Sequence, residues 1–246
     1  MEWRERDGVR WLHAELRGGV AAFSTRIGGV SEVPWNSLNV AVKTGDEPGS
    51  VRSNRLRLAE ALGRRPENVV MGRQVHGAEL ARHERAQEPR VFADLVRSPI
   101  EVDAHVTANP ELTPLVMVAD CLPVALAGPG GVAMAHCGWR GLAAGILTGA
   151  VEASEAEAAA IGPGIGPCCY EVGEEVLDSF AELDGVARGR MLDLTAVATR
   201  LLEGAGVTAI EASGLCTSCN AELFYSHRRD GERTGRQAGL VWREAI

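Results

Sequence analysis

Residues 119–141, ADCLPVALAGPGGVAMAHCGWRG, constrain this chain more than any other stretch. Two apolar runs, 122–127 and 132–135, flank the segment GPGG, a pattern that reads as an antiparallel hairpin closed by a tight turn. A hairpin brings the residues at its open end together, and here those residues are Cys121 and His136. A thiolate and an imidazole so placed either bind a metal ion or act as nucleophile and base, and both uses need the cysteine deprotonated.

Further apolar runs at 20–23, 69–71, 115–119 and 207–210 read as strands. Helical patterns lie between them. One spans 51–62 and ends at Gly63, suited to the left-handed residue that closes a helix, with Pro66 beyond it to prevent continuation. Another spans 194–202, with Asp193 as N-cap and Leu194, Val197, Leu201 and Leu202 on one face. A third follows Trp139 through 141–160, weakened by Gly141, Gly145 and Gly149. Strands and helices mixed without strict alternation predict an α+β fold with mixed β-sheets flanked by helices. With no internal repeat and no Pro- or Ser-rich linker, residues 1–246 read as one domain.

A hydrophobic content of 46% over 246 residues is enough to bury a core. No stretch is apolar for long enough to span a bilayer, and the charged start MEWRERDGVRW lacks the apolar region of a signal peptide, so a cytoplasmic protein with no membrane partner is expected. The net charge of -8 argues against nucleic acid as a partner, since a phosphate backbone would repel the chain.

The stretch GRQVHGAEL supplies His76 on a glycine-flanked loop after the 69–71 run. His76, Cys121 and His136 would give a metal three ligands and leave the fourth tetrahedral position to water, whose pKa zinc lowers towards ~7. From the residues alone this site and a metal-free Cys–His pair both stand, and His76 discriminates between them. His13, His83 and His105 read as surface or satisfied histidines, whereas His227 sits among arginines. Arg26, Arg140, Arg228, Arg229, Arg233 and Arg236 lie within two residues of a Gly or Ser and suit an anion, with Arg26, Arg140 and Arg229 the preferred three. Residues 158–173, AAAIGPGIGPCCYEVG, read as a strand, a Gly-Pro loop and a helix from about Glu171; the glycines follow neither P-loop nor dinucleotide-binding order. Cys137, Cys168 and Cys169 read as small buried apolar groups, and the lone CTSC at 216–219 reads as structural.

Together, STRIGGVS, SLNVA, GRQVHGA, VADCLPV, AHCGWRG, IGPGIGPCCYEVG and SHRRDGERTGR resemble the bacterial laccase-domain family over nearly the whole chain. That family, also called polyphenol oxidase or peptidoglycan editing factor, is regarded as one of purine nucleoside phosphorylases. The resemblance implies zinc on His76, Cys121 and His136. It implies phosphorolysis of adenosine, inosine and S-methyl-5′-thioadenosine, with phosphate as the second substrate, and deamination of adenosine. It implies a fold similar to the catalytic domain of cytotoxic necrotising toxins. Cys121, His136 and Asp120 are the expected catalytic residues, Asp120 as proton carrier, and Arg26, Asn39, Gln74, Arg140 and Arg229 the expected substrate contacts. Two departures are visible: Cys137 replaces the usual alanine after the metal histidine, and His227 stands where an aromatic is common. Three alternatives remain: a metal-free Cys–His hydrolase or deamidase, a copper-dependent polyphenol oxidoreductase, and a non-catalytic cell-wall-related binding protein. Six histidines are too few for a multicopper centre, so copper ranks below zinc.

Overall fold

The computed structural model describes residues 1–96, 98 and 100–244. The chain opens with β1 (Glu2–Arg6), β2 (Val9–Leu16) and β3 (Gly19–Ser24), then α1 (Pro48–Ala61). Gly63, at φ +65°, ends α1: its amide donates to Glu60 O and that of Arg64 to Ala59 O, the paired bonds that close a helix through a left-handed residue. Next come β4 (Val69–Val70), β5 (Leu80–Arg82), β6 (Ala104–Thr107), β7 (Thr113–Val118) and the expected hairpin, β8 (Leu122–Gly128) with β9 (Gly131–Cys137). The helical stretch after Trp139 is broken. Gly145, at φ +89°, separates α2 (Trp139–Ala143) from α3 (Ile146–Ser154), and residues 158–160 belong to β10 (Ala158–Ile161), not to that helix.

The helix expected from Glu171 is the short α4 (Glu174–Asp178), because Glu171 bridges to Met191 instead. After β11 (Ala187–Arg188) and β12 (Met191–Leu192), α5 (Leu194–Gly204) starts where expected, with Asp193 Oδ1 accepting from the Ala196 amide at 3.0 Å. The run at 207–210 forms its strand slightly later, as β13 (Ala209–Ala212), and α6 (His227–Asp230) and β14 (Gln237–Trp242) complete the chain. No helix of the described residues is long and apolar enough to cross a membrane.

Two mixed six-stranded sheets form, ordered β1-β2-β3-β14-β7-β4 and β13-β10-β8-β9-β6-β5. Alternation along each strand assigns its two faces. Trp11, Ala22, Leu115 and Leu240 of the first sheet pack with Leu58 and Ala59 of α1. On the second sheet, Val124, Leu126, Ala133 and Ala135 pack with α3 and α5. The opposite faces, carrying Leu12, Phe23, Val116 and Val241 from one sheet and Ala125, Val132 and Met134 from the other, meet in a shared core. Burying each larger side chain there contributes about 1.5–3 kcal/mol. The structure is therefore a layered α+β domain, helix on sheet on sheet on helix.

Close approach of the sheets depends on glycine at Gly239: a Cβ there would lie 2.6 Å from Pro123 Cβ and 3.1 Å from Met134 Sδ. Pro123 pairs with His136. Cys121 has the parity of Ala125, and His136 that of Met134, so both belong to the side of the second sheet that faces the first. They lie where that interior opens.

Candidate metal centre and active site

Leu122 pairs with Cys137 and Pro123 with His136, so Cys121 lies one step beyond the ladder and reaches His136 diagonally rather than directly across. His76 arrives from the loop between β4 and β5. One ligand atom from each of His76, Cys121 and His136 falls within 4.8 Å of the others, and the two imidazoles meet edge to face with centroids 4.8 Å apart.

Asp103, fully buried just before β6, holds this arrangement together. Its Oδ2 accepts from the Val75 and Gly77 amides at 3.0 and 2.9 Å, and its Oδ1 from the His76 amide at 3.0 Å. Three amides converging on one carboxylate fix His76 at φ +60°, a backbone region that a residue with a side chain seldom occupies. Asp103 Oδ1 also lies 2.7 Å from His136 Nδ1, which leaves Nε2 as the nitrogen of that ring open to a metal ion. Sequence reasoning missed Asp103. The signal was an acid in VDAH, adjoining a strand that is otherwise buried and mostly apolar.

Backbone shape serves Cys121 as well. Asp120, at φ +100°, turns the chain into β8, and a Cβ on Gly138 would lie 3.0 Å from Cys121 Sγ and 3.3 Å from His76 Cδ2. Only glycine at 138 leaves the thiol and the ring undisturbed. Burial opposes ionisation of Cys121, yet the charge and hydrogen bond of His136, followed by His76, bring its pKa down to about 6. Burial likewise opposes protonation of His136, while the Cys121 thiolate and Asp103 raise it to about 9. Without metal the pair is thus a thiolate beside an imidazolium. Cys137 has the opposite parity and lies in the helix-side core, where burial and then the Cys121 charge push its thiol well up, so it is no ligand.

The triad lines one side of a cavity of about 640 Å³, within the range of small-molecule sites. Lys43, Arg55, Arg73, Arg140, Arg228 and Arg236 carry positive charge around it, and Trp139, Tyr170 and His227 also line it. Arg140 stacks on Trp139 at 4.4 Å, and among the described residues its guanidinium donates no hydrogen bond. Arg228 stacks on Tyr170 at 5.0 Å and donates to Glu171 O. Gln74 lines the cavity too, but its amide bonds the Met117 carbonyl and amide at 2.7 and 2.8 Å, extending the edge of β7.

Three expected substrate contacts lie away from the cavity lining. Arg26 spends its guanidinium on Asn36 and Ala221 and stacks on Tyr225. Asn39 is fully buried and bonds Ala41, Thr44, Asp46 and the Arg236 amide, so it shapes the wall from behind. Arg229 donates to Thr217 O, Ser218 O, Phe224 O and Asp230. Nothing in the sequence separates an arginine that binds carbonyls of its own chain from one that waits for a ligand. Asp120 lines the cavity and accepts from Thr217 Oγ1 and the Arg228 amide, both at 2.6 Å, with lone-pair capacity left on each oxygen.

The family described as multi-copper polyphenol oxidoreductase laccase matches residues 20–244. A Pseudomonas aeruginosa protein named purine nucleoside phosphorylase PA4543 is 40% identical over 90% of this chain and 92% of its own length. One from Escherichia coli, named purine nucleoside phosphorylase YfiH, is 38% identical over 92% and 94%. Among solved structures, YlmD from Geobacillus stearothermophilus superposes with a TM-score of 0.88 at 35% identity, covering 98% of both chains. The Bacillus licheniformis hypothetical protein YfiH does so at 0.86 and 30%, covering 98% of this chain and 99% of its own.

Proposed function

Because the chain belongs to the multi-copper polyphenol oxidoreductase laccase family and its relatives carry the name purine nucleoside phosphorylase, we propose a zinc-dependent enzyme of that kind. Its proposed nucleosides are adenosine, inosine and S-methyl-5′-thioadenosine, cleaved by phosphate to the base and a ribose 1-phosphate, with adenosine also deaminated to inosine. The observation that carries this reading is the convergence of His76, Cys121 and His136 on a cavity lined by five arginines, among them Arg140, Arg228 and Arg236.

The donor set fits zinc. Two imidazole nitrogens and one thiolate would give a zinc ion three of its four usual ligands, and Asp103 orients one imidazole as outer partners of metal ligands do. Among the described residues the only other grouping of possible metal ligands is of four cysteines, so the histidine-rich multinuclear centre of a copper oxidase has no counterpart there. Zinc, when bound, supplies Lewis acidity and lowers the pKa of water.

The remaining roles fall to the chain. Arg140, with hydrogen-bonding capacity to spare, is the proposed primary phosphate contact, supported by the charge of Arg228 and Arg236. Trp139 and Tyr170 offer aromatic faces to the purine. Asp120, next to Cys121, is the proposed proton carrier in deamination. Product analysis after incubation with adenosine, with and without phosphate, tests this. Adenine and ribose 1-phosphate should form only with phosphate, and inosine under both conditions. No product under either would overturn the reading in favour of a binding protein.

A further inference from the structure

CTSC is not alone in space. Cys168 and Cys169 end the Gly-Pro loop after β10, and the structure sets them against Cys216 and Cys219, with all four sulfur atoms within 4.8 Å of one another. Cys219 Sγ is 3.4 Å from the sulfurs of both Cys168 and Cys169. Four thiolates around one zinc at ~2.3 Å would sit about 3.8 Å apart, so the group already has the size of a tetrathiolate shell. Cys168 and Cys219 are exposed, which leaves a path for an ion to enter.

The backbone supports a charged cluster. The Gly166 amide donates to Cys216 Sγ at 3.2 Å, and a Cβ on Gly166 would lie 3.2 Å from Cys216 Cβ and 3.4 Å from Cys168 Sγ. Amides aimed at sulfur favour the thiolate. Positive charge is close: Arg229 donates to Thr217 O and Ser218 O inside the CTSC loop, and Arg228 reaches Cys169 O. These cations offset the double negative charge of a divalent ion held by four thiolates.

We propose that Cys168, Cys169, Cys216 and Cys219 bind a second, structural zinc ion, distinct from the triad. Binding releases the thiol protons to solvent and requires no oxidant or reductant. Its place in the fold gives it a task. Tyr170, which lines the cavity, follows Cys169, and Thr217, between the CTSC cysteines, donates to Asp120 Oδ1 at 2.6 Å. An ion joining the two loops therefore braces the cavity wall from outside.

The test compares the full-length wild-type chain with Cys168→Ser/Cys219→Ser, both purified under reducing conditions, by elemental analysis for zinc and by denaturing mass spectrometry with thiol alkylation. The double variant should hold one zinc equivalent fewer than wild type. Wild type loaded with cobalt alone should show the intense sulfur-to-cobalt charge transfer of a tetrathiolate, and the variant should lose most of it. Equal zinc content in the two folded proteins would overturn the proposal. So would intact masses showing these four cysteines paired in disulfides. If the double variant fails to fold, the cobalt spectrum of the wild type decides alone. Both proteins keep His76, Cys121 and His136, so an empty triad would lower both zinc contents equally and leave this difference readable.

Discussion

Replacing Asp103 by asparagine keeps the size and shape of the side chain and removes its charge. The carboxylate serves four donors, two on each oxygen: the Val75 and Gly77 amides on Oδ2, and the His76 amide and His136 Nδ1 on Oδ1. Asparagine offers one neutral acceptor and turns an NH2 group towards two of those donors. Losing two bonds to a charged acceptor, at about 1.5–3 kcal/mol each, predicts a loss near 3 kcal/mol or more. For a chain of this length about 2–4 °C is lost per kcal/mol, so thermal unfolding should move down by roughly 6–12 °C. The second consequence is functional, because a ligand held by a weaker partner binds metal about 10–100-fold more weakly. Chelator competition on the folded variant measures this. A zinc affinity at the triad within about threefold of wild type would refute the claim that Asp103 positions the ligands, whatever the melting temperature does.

Gly138→Ala places a Cβ against Cys121 Sγ and His76 Cδ2, so metal affinity at the triad should fall about tenfold while the melting temperature hardly moves, since Gly138 has an ordinary negative φ; chelator competition and calorimetry check the two halves. Arg140→Ala should raise the KM for phosphate with zinc content unchanged; a phosphate KM equal to wild type would contradict its assignment. Burial, then the charge of His83, lowers His105 from 6.5 to about 3 against the pull of Asp103. Between those values the unfolded chain takes up a proton that the folded chain refuses, so stability falls as pH drops below 6.5, by about 1.4 kcal/mol per pH unit for this group, and is unaffected by it above. Urea unfolding from pH 7.5 to 4.5 should show the slope, and His105→Gln should flatten it by about one proton.

Much of this was legible because it is written locally. The β8–β9 hairpin follows from two apolar runs and GPGG, the end of α1 from Gly63, and the start of α5 from Asp193. Cys121 and His136 met as the hairpin required, although the register is diagonal. What stayed hidden depends on distant parts of the chain. β2 alternates poorly, because both its faces are buried, Val9 and Trp11 in one core and Leu12 and Ala14 in another, and β14 finds its place only between β3 and β7. Asp103 acquires its role through a loop more than 25 positions away in sequence and a strand more than 30 away. The four cysteines became a cluster only when the loops after β10 and β13 folded against one another. Arg26 and Arg229 look like anion binders in sequence and hold carbonyls in the structure.

Zinc content measured together with phosphate-dependent turnover of adenosine, in wild type and in His76→Ala, tests the triad most directly. His76→Ala should hold one zinc equivalent fewer than wild type and form no ribose 1-phosphate. Unchanged zinc content together with retained phosphorolysis in His76→Ala would contradict it.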